Sequence, residues 1–157
     1  MFCASFFTII TWLGSLYLLL PLLAIFSIVL LRAGKVREAL WLGSSLLVTV
    51  IVAHVIKLIF RRPRPDSPDL LVPMPSDWSF PSAHTAQATA FFLVVTIVAV
   101  RLLPSAWAVI CAIVCGLIIV CVGWSRVYLQ VHYLSDVVAG CALAIILVAV
   151  VHALLPY

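Results

Sequence analysis

Apolar residues fall in five long blocks, 8–31, 39–60, 85–103, 105–123 and 133–155, broken by short polar intervals. An α-helix rises about 1.5 Å per residue, so roughly 20 apolar residues cross a hydrocarbon core of about 30 Å. Every block is long enough to do so. The pattern predicts an all-α, polytopic membrane helical bundle of about five transmembrane helices. The intervals are a basic turn at 32–38, a Pro-rich segment at 61–84, a short turn at 101–104 and a segment at 124–132. Two spans separate the second interval from the fourth, so both lie on the same side of the membrane. Lys57, Arg61, Arg62, Arg64, Asp66, Asp69, Asp77, Ser82, His84, Ser125, Arg126, His132 and Asp136 all lie in or beside these two intervals. Residues distant in sequence are thereby predicted to converge at one membrane interface.

Composition removes the main alternative, a soluble domain. Of 157 residues, 66% are hydrophobic and 9% charged, and mean hydropathy is +1.33. That length leaves no room for a separate soluble unit, and 1–157 is read as a single integral-membrane domain. The net charge of +4 is too small and too scattered for a nucleic-acid surface. Cys111, Cys115, Cys121 and Cys141 sit inside apolar runs and read, with Cys3, as small buried residues rather than metal ligands or disulfides. The first block lacks a basic leader and a small-residue cleavage site, so it reads as a retained span.

Three polar clusters carry the candidate chemistry. Lys57 is followed after six residues by Arg64-Pro65, and Lys57, Arg61 and Arg64 are expected to share a helical face. Pro63 and Pro65 should end the helix near Arg62 and turn the arginines across the membrane surface. Pro81-Ser82-Ala83-His84 precedes an apolar span, making Ser82 a candidate N-cap and the amides after it a candidate anion site. Ser125-Arg126 is followed by His132 and, four residues later, Asp136. At the start of a helix that pair would share a face, the carboxylate fixing one imidazole nitrogen and leaving the other nucleophilic. The same pair could ligate a metal, but three nearby cations and few further acids disfavour a divalent ion.

Order and spacing of the three clusters resemble the signature of the type 2 phosphatidic acid phosphatase superfamily, across residues 57–136. The resemblance implies that Lys57, Arg64 and Arg126 bind phosphate oxygens, aided by Ser82 and the amide of Ala83. It also implies that His132 attacks phosphorus, Asp136 orients it and His84 protonates the leaving alkoxide, without metal or cofactor. The implied function is a lipid phosphate or diphosphate phosphatase working through a phosphohistidine. Phosphatidate, phosphatidylglycerol phosphate, polyprenyl diphosphate and lipid A phosphate all stand open as substrates. Two other readings are a vanadate-dependent haloperoxidase, which shares the family pocket, and a catalytically silent lipid-binding or transport protein. The chain departs from the family at Ala83, where glycine is usual, and shows five spans where many members have six.

Orientation rests on Lys and Arg counts of four (Arg32, Lys35, Arg37, Arg101) against five at the two faces. Setting aside Lys57, Arg64 and Arg126 as anion ligands leaves four against two, which predicts an outward-facing site in a bacterial inner membrane with the C-terminus cytoplasmic. His54 is read as an interior residue satisfied by a neighbouring helix or as a partner behind the phosphate site, and His152 as interfacial at the wrong end. The five tryptophans are read as an aromatic belt, and Arg61 and Arg62 as headgroup contacts or lipid anchors.

Overall fold

The computed structural model describes residues 2–66 and 70–155, with backbone alone for residues 2–4. Among them every regular element is helical: α1 (Phe2–Ile10), a 3₁₀ turn (Thr11–Gly14), α2 (Leu16–Arg32), α3 (Val36–Phe60), α4 (Ala83–Leu102), α5 (Ser105–Tyr128) and α6 (Leu134–Leu154). Helices α3 to α6 are each long and apolar enough to cross a membrane. In hydrocarbon the helix is the one local structure that satisfies its own backbone, which is why each apolar block folds this way.

The first predicted span is broken. Helices α1 and α2 meet at 49°, as a bent span or a re-entrant segment. The break has local causes. Ser15 leaves helical geometry at φ −85°, ψ 140° and its Oγ accepts the Tyr17 N–H at 3.3 Å, capping α2. The Ser15 N–H donates to Trp12 O at 2.9 Å, so the interruption leaves that amide satisfied. Gly14 is buried with its missing Cβ 2.7 Å from both His84 O and Val122 Cγ1, an approach no side chain permits.

Helix α4 is the centre of the bundle: 61% of its apolar window is buried, against 22% for α5 and for α6. Its first half, Ala83 to Ala90, is rich in Ala and Thr, small residues that let neighbouring backbones close in. Gly140 of α6 fits against Ser82 O, where a Cβ would stand 2.6 Å away. Below this, Phe91, Val94, Leu42, Leu46, Val122, Ala144 and Val148 form the apolar core.

Two boundaries differ from expectation and matter to the site. Helix α3 stops at Phe60, slightly before Arg62, because Arg61 turns left-handed at φ 45° ahead of the prolines. Helix α5 runs on to Tyr128, so Ser125 and Arg126 lie within a helix rather than in a connection. The tryptophan reading is also corrected at one position. Trp41 is 2% exposed and donates from Nε1 to Val148 O at 3.0 Å, a core residue rather than part of a belt. Cys115 is buried, while Cys111, Cys121 and Cys141 are partly buried, all as free thiols; the Cys3 side chain lies outside the described residues.

Candidate active site

The C-terminal ends of α3 and α5 and the N-terminal ends of α2, α4 and α6 meet at one end of the bundle. They enclose a cavity of about 230 Å³ lined by Lys57, Arg64, Asp77, Ala83, His84, Gln87, Arg126 and His132, with Ser15, Leu16, Tyr17 and Pro75 at its side. Lys57, Ala83, His84, Arg64, Arg126 and His132, taken from all three sequence clusters, therefore line one space.

His132 and Asp136 do face each other, although not as residues of one helix. His132 precedes α6, whose N-cap is Tyr133. The Asp136 carboxylate is fully buried, accepts the Tyr133 N–H at 3.0 Å and approaches His132 Nδ1 at 3.5 Å. Two partners were not foreseen. Ser79 Oγ donates to Asp136 Oδ2 and lies 3.3 Å from His132 Nδ1, bridging the pair. Arg62 Nη1 donates to Asp136 Oδ1 at 2.7 Å and its guanidinium covers the Tyr133 ring at 4.2 Å. Arg62 is thus a counter-ion of Asp136, with its side chain still 36% exposed.

His132 Nε2 points to the cavity, 3.2 Å from Arg64 Nη1. Burial pushes the His132 imidazole down to about 4; the Asp136 hydrogen bond opposes this, and Arg64, Arg126 and Lys57 add repulsion. The ring is therefore neutral near pH 7, with its Nε2 lone pair turned to the Arg64 guanidinium.

Arg64 has left the helical face shared with Lys57: it lies in extended chain, its Nε donating to Asp77 O at 2.8 Å and its Nη1 to Val131 O at 2.6 Å. Lys57 Nζ pairs with Asp77 Oδ2 at 2.9 Å and also donates to Trp78 O, while Arg64 Nη2 pairs with Asp77 Oδ1. Burial alone would raise the Asp77 carboxyl, but hydrogen bonds and charge from Lys57 and Arg64 outweigh it and hold the group below its ordinary value. Arg126 Nη1 donates to Thr11 Oγ1 of the broken span at 2.7 Å, and its buried Nε has no hydrogen-bond partner.

Ser82 is the N-cap residue of α4, as expected, but its side chain caps no amide. It is fully buried behind the cavity lining and accepts a hydrogen bond from Thr85 Oγ1 at 3.0 Å. Ala83 occupies the first turn of α4 and is not among the residues with positive φ, so the alanine fits without strain. Outside the site, His54 is exposed and away from the cavity, which corrects both readings given to it. His152 lies at the opposite end, with Arg37 Nη2 3.4 Å from its Nδ1 and Arg101 Nη2 3.2 Å from its Nε2. Asp69 lies outside the described residues.

Sequence reasoning missed Ser79, Gln87 and Thr11, and placed Asp77 at the interface without giving it a role. Ser79 and Asp77 sit just upstream of the second cluster, and that adjacency was their one available signal.

A membrane bundle whose helix ends gather a buried His–Asp pair, a second histidine and three cations defines a class, and comparison with known families agrees. The chain belongs to the PAP2 superfamily, whose model matches residues 38–157. It is 36% identical over 145 residues to phosphatidylglycerophosphatase B of Bacillus subtilis, covering 88% of this chain and 68% of that protein. It is also 36% identical over 117 residues to decaprenylphosphoryl-5-phosphoribose phosphatase of Mycobacterium tuberculosis, covering 73% of this chain and 60% of that one. A crystal structure of a transmembrane PAP2-type phosphatidylglycerolphosphate phosphatase from Bacillus subtilis superposes with a TM-score of 0.88 at 33% identity, over 97% of this chain and 76% of that one. The family and these named activities are those of membrane hydrolases acting on lipid phosphates, as the three clusters predicted.

Proposed function

We propose that this protein is a metal-independent lipid phosphate phosphatase that works through a phosphohistidine. The observation that carries the reading is the 230 Å³ cavity, in which Lys57, Arg64 and Arg126 converge with Nε2 of a buried, carboxylate-supported His132. Fixed cations stabilise the charge on the equatorial oxygens of a transferring phosphoryl group. The Ala83 amide, at the start of α4, adds a donor of the kind that binds anions. Ser82 Oγ, one layer behind the lining, accepts from Thr85 and braces the first turn of α4 that presents the Ala83 amide.

In the first displacement His132 Nε2 attacks phosphorus as the ester oxygen leaves with a proton from His84. In the second, water loses a proton to His84 and attacks the phosphohistidine, releasing phosphate and free His132. Asp136, held by Ser79 and Arg62, keeps Nδ1 protonated throughout. A neighbouring space of about 560 Å³, lined by Thr8, Thr11, Trp12, Val72 and Pro73, shares His84 and Arg126 with the cavity and suits the departing alcohol. The lipid tail enters laterally from the bilayer. The substrate is a membrane lipid carrying a terminal phosphate or diphosphate, and the site faces outward from a bacterial inner membrane.

Phosphate release from a panel of lipid phosphates, by the full chain in detergent with and without chelator, tests this. Release in both conditions is expected; loss in chelator restored by a divalent ion overturns the mechanism. No release from any lipid leaves the silent lipid-binding reading, and halide oxidation with added vanadate the haloperoxidase one. A cysteine at Asp66, introduced after native cysteines are removed, should react with an impermeant thiol reagent in intact cells; reaction only after permeabilisation reverses the orientation.

A further inference from the structure

We propose that Asp77 is a displaceable carboxylate that occupies Lys57 and Arg64 in the resting site, so that substrate phosphate binds by exchanging with it. The identity of the competing anion rests on the phosphatase reading; the exchange itself rests on the geometry.

The two partners are unequally buried. The side chains of Lys57 and Arg64 are 3% and 7% exposed, whereas that of Asp77 is 45% exposed. Separating the pair by moving the carboxylate puts an exposed anion into water, but leaving the cations without an anion strands two buried charges. The cations therefore require a partner at all times, and Asp77 is the one able to swing away. A phosphate can replace its carboxylate without moving the cations.

Arg64 links this exchange to the nucleophile. The guanidinium that pairs with Asp77 through Nη2 also places Nη1 against His132 Nε2, the nitrogen that must attack. An oxyanion bridging Nη1 and Nη2 would release Asp77 and uncover the lone pair together. Arg126 supplies the entry point, because no carboxylate pairs with it among the described residues and its buried Nε is unpartnered. A phosphomonoester dianion, with twice the charge of a carboxylate, wins such an exchange; a singly charged diester gains little over Asp77. Asp77 then acts as a positioning and selecting residue, not a catalytic one.

The test is the affinity of the full chain in detergent for inorganic phosphate, read from the phosphate dependence of its thermal unfolding midpoint, which needs no turnover. Asp77→Asn removes the competing charge while keeping the shape, and should bind phosphate about tenfold more tightly, with a matching fall in the phosphate inhibition constant. Asp77→Glu keeps the charge and should stay at or above the wild-type dissociation constant. Unchanged or weaker binding in Asp77→Asn makes Asp77 a structural clamp for the cations and overturns the proposal. If Asp77→Asn does not fold, a structure of the wild type with tungstate decides: the Asp77 carboxylate beyond about 4 Å from Lys57 Nζ supports exchange, and an intact pair beside bound tungstate refutes it. A wild type that binds phosphate but hydrolyses no lipid phosphate would sink the phosphatase reading alone, while tight wild-type turnover without a gain in Asp77→Asn would sink only the exchange.

Discussion

Removing one hydroxyl, Ser79→Ala, tests the part of the site that no sequence cluster contains. Ser79 is fully buried and its Oγ donates to Asp136 Oδ2 while standing 3.3 Å from His132 Nδ1. After substitution Oδ2 keeps the Tyr133 N–H at 3.0 Å and a looser approach to His132 at 3.5 Å. A hydrogen bond to a buried charge is worth about 1.5–3 kcal/mol, and a tenfold rate change corresponds to about 1.4 kcal/mol. If roughly half to all of that bond serves to orient the imidazole, kcat should fall by about 3- to 140-fold. KM should barely move, because Ser79 does not line the cavity. Steady-state phosphate release from an activated aryl phosphate and from a lipid phosphate, in detergent, gives both constants. The Asp136→Asn variant alone and combined with Ser79→Ala completes a double-mutant cycle, in which the two losses should be far from additive since both act on His132. A kcat within twofold of wild type, or strictly additive losses, would show that Ser79 does not support the nucleophile.

Three further outcomes follow from the same geometry. With the His132 imidazole near 4 rather than its ordinary 6.5, protonation removes the attacking lone pair only in acid, so kcat/KM corrected for substrate ionisation should fall as pH drops through about 4; an acid limb at 6.5 in the pH–rate profile would contradict this, whereas an alkaline limb belongs to the general acid His84. Gly14→Ala puts a Cβ 2.7 Å from His84 O and Val122 Cγ1, and should cost about 1–3 kcal/mol of stability and lower activity, whereas Gly43→Ala, with nothing within 4 Å, should be neutral or slightly stabilising in thermal unfolding. His84→Ala should be partly rescued in its first displacement by a low-pKa phenolic leaving group and accumulate phosphohistidine, detectable by acid-labile radiolabel, whereas His132→Ala should show neither rescue nor label.

The apolar blocks determined the helical bundle because a backbone in hydrocarbon must bond to itself, and that demand is local to each block. Counting crossings was enough to bring 61–84 and 124–132 to one membrane face. That Lys57, Arg64, His84, Arg126 and His132 would gather in one place, with Asp136 beside His132, was equally legible, since their types and intervals are written along the chain. Their partners were not. Ser79 bridges His132 and Asp136, Arg62 neutralises Asp136, and Asp77 holds Lys57 and Arg64, all from a segment without helical period to predict where its side chains point. The break at Gly14 and Ser15 was hidden as well, because Thr11 reaches Arg126 across 115 residues of sequence. Helical period fixes which residues share a face within one element, but which loop atom fills a buried carboxylate's remaining valence is decided only when packed helices bring separate segments within about 3 Å of each other.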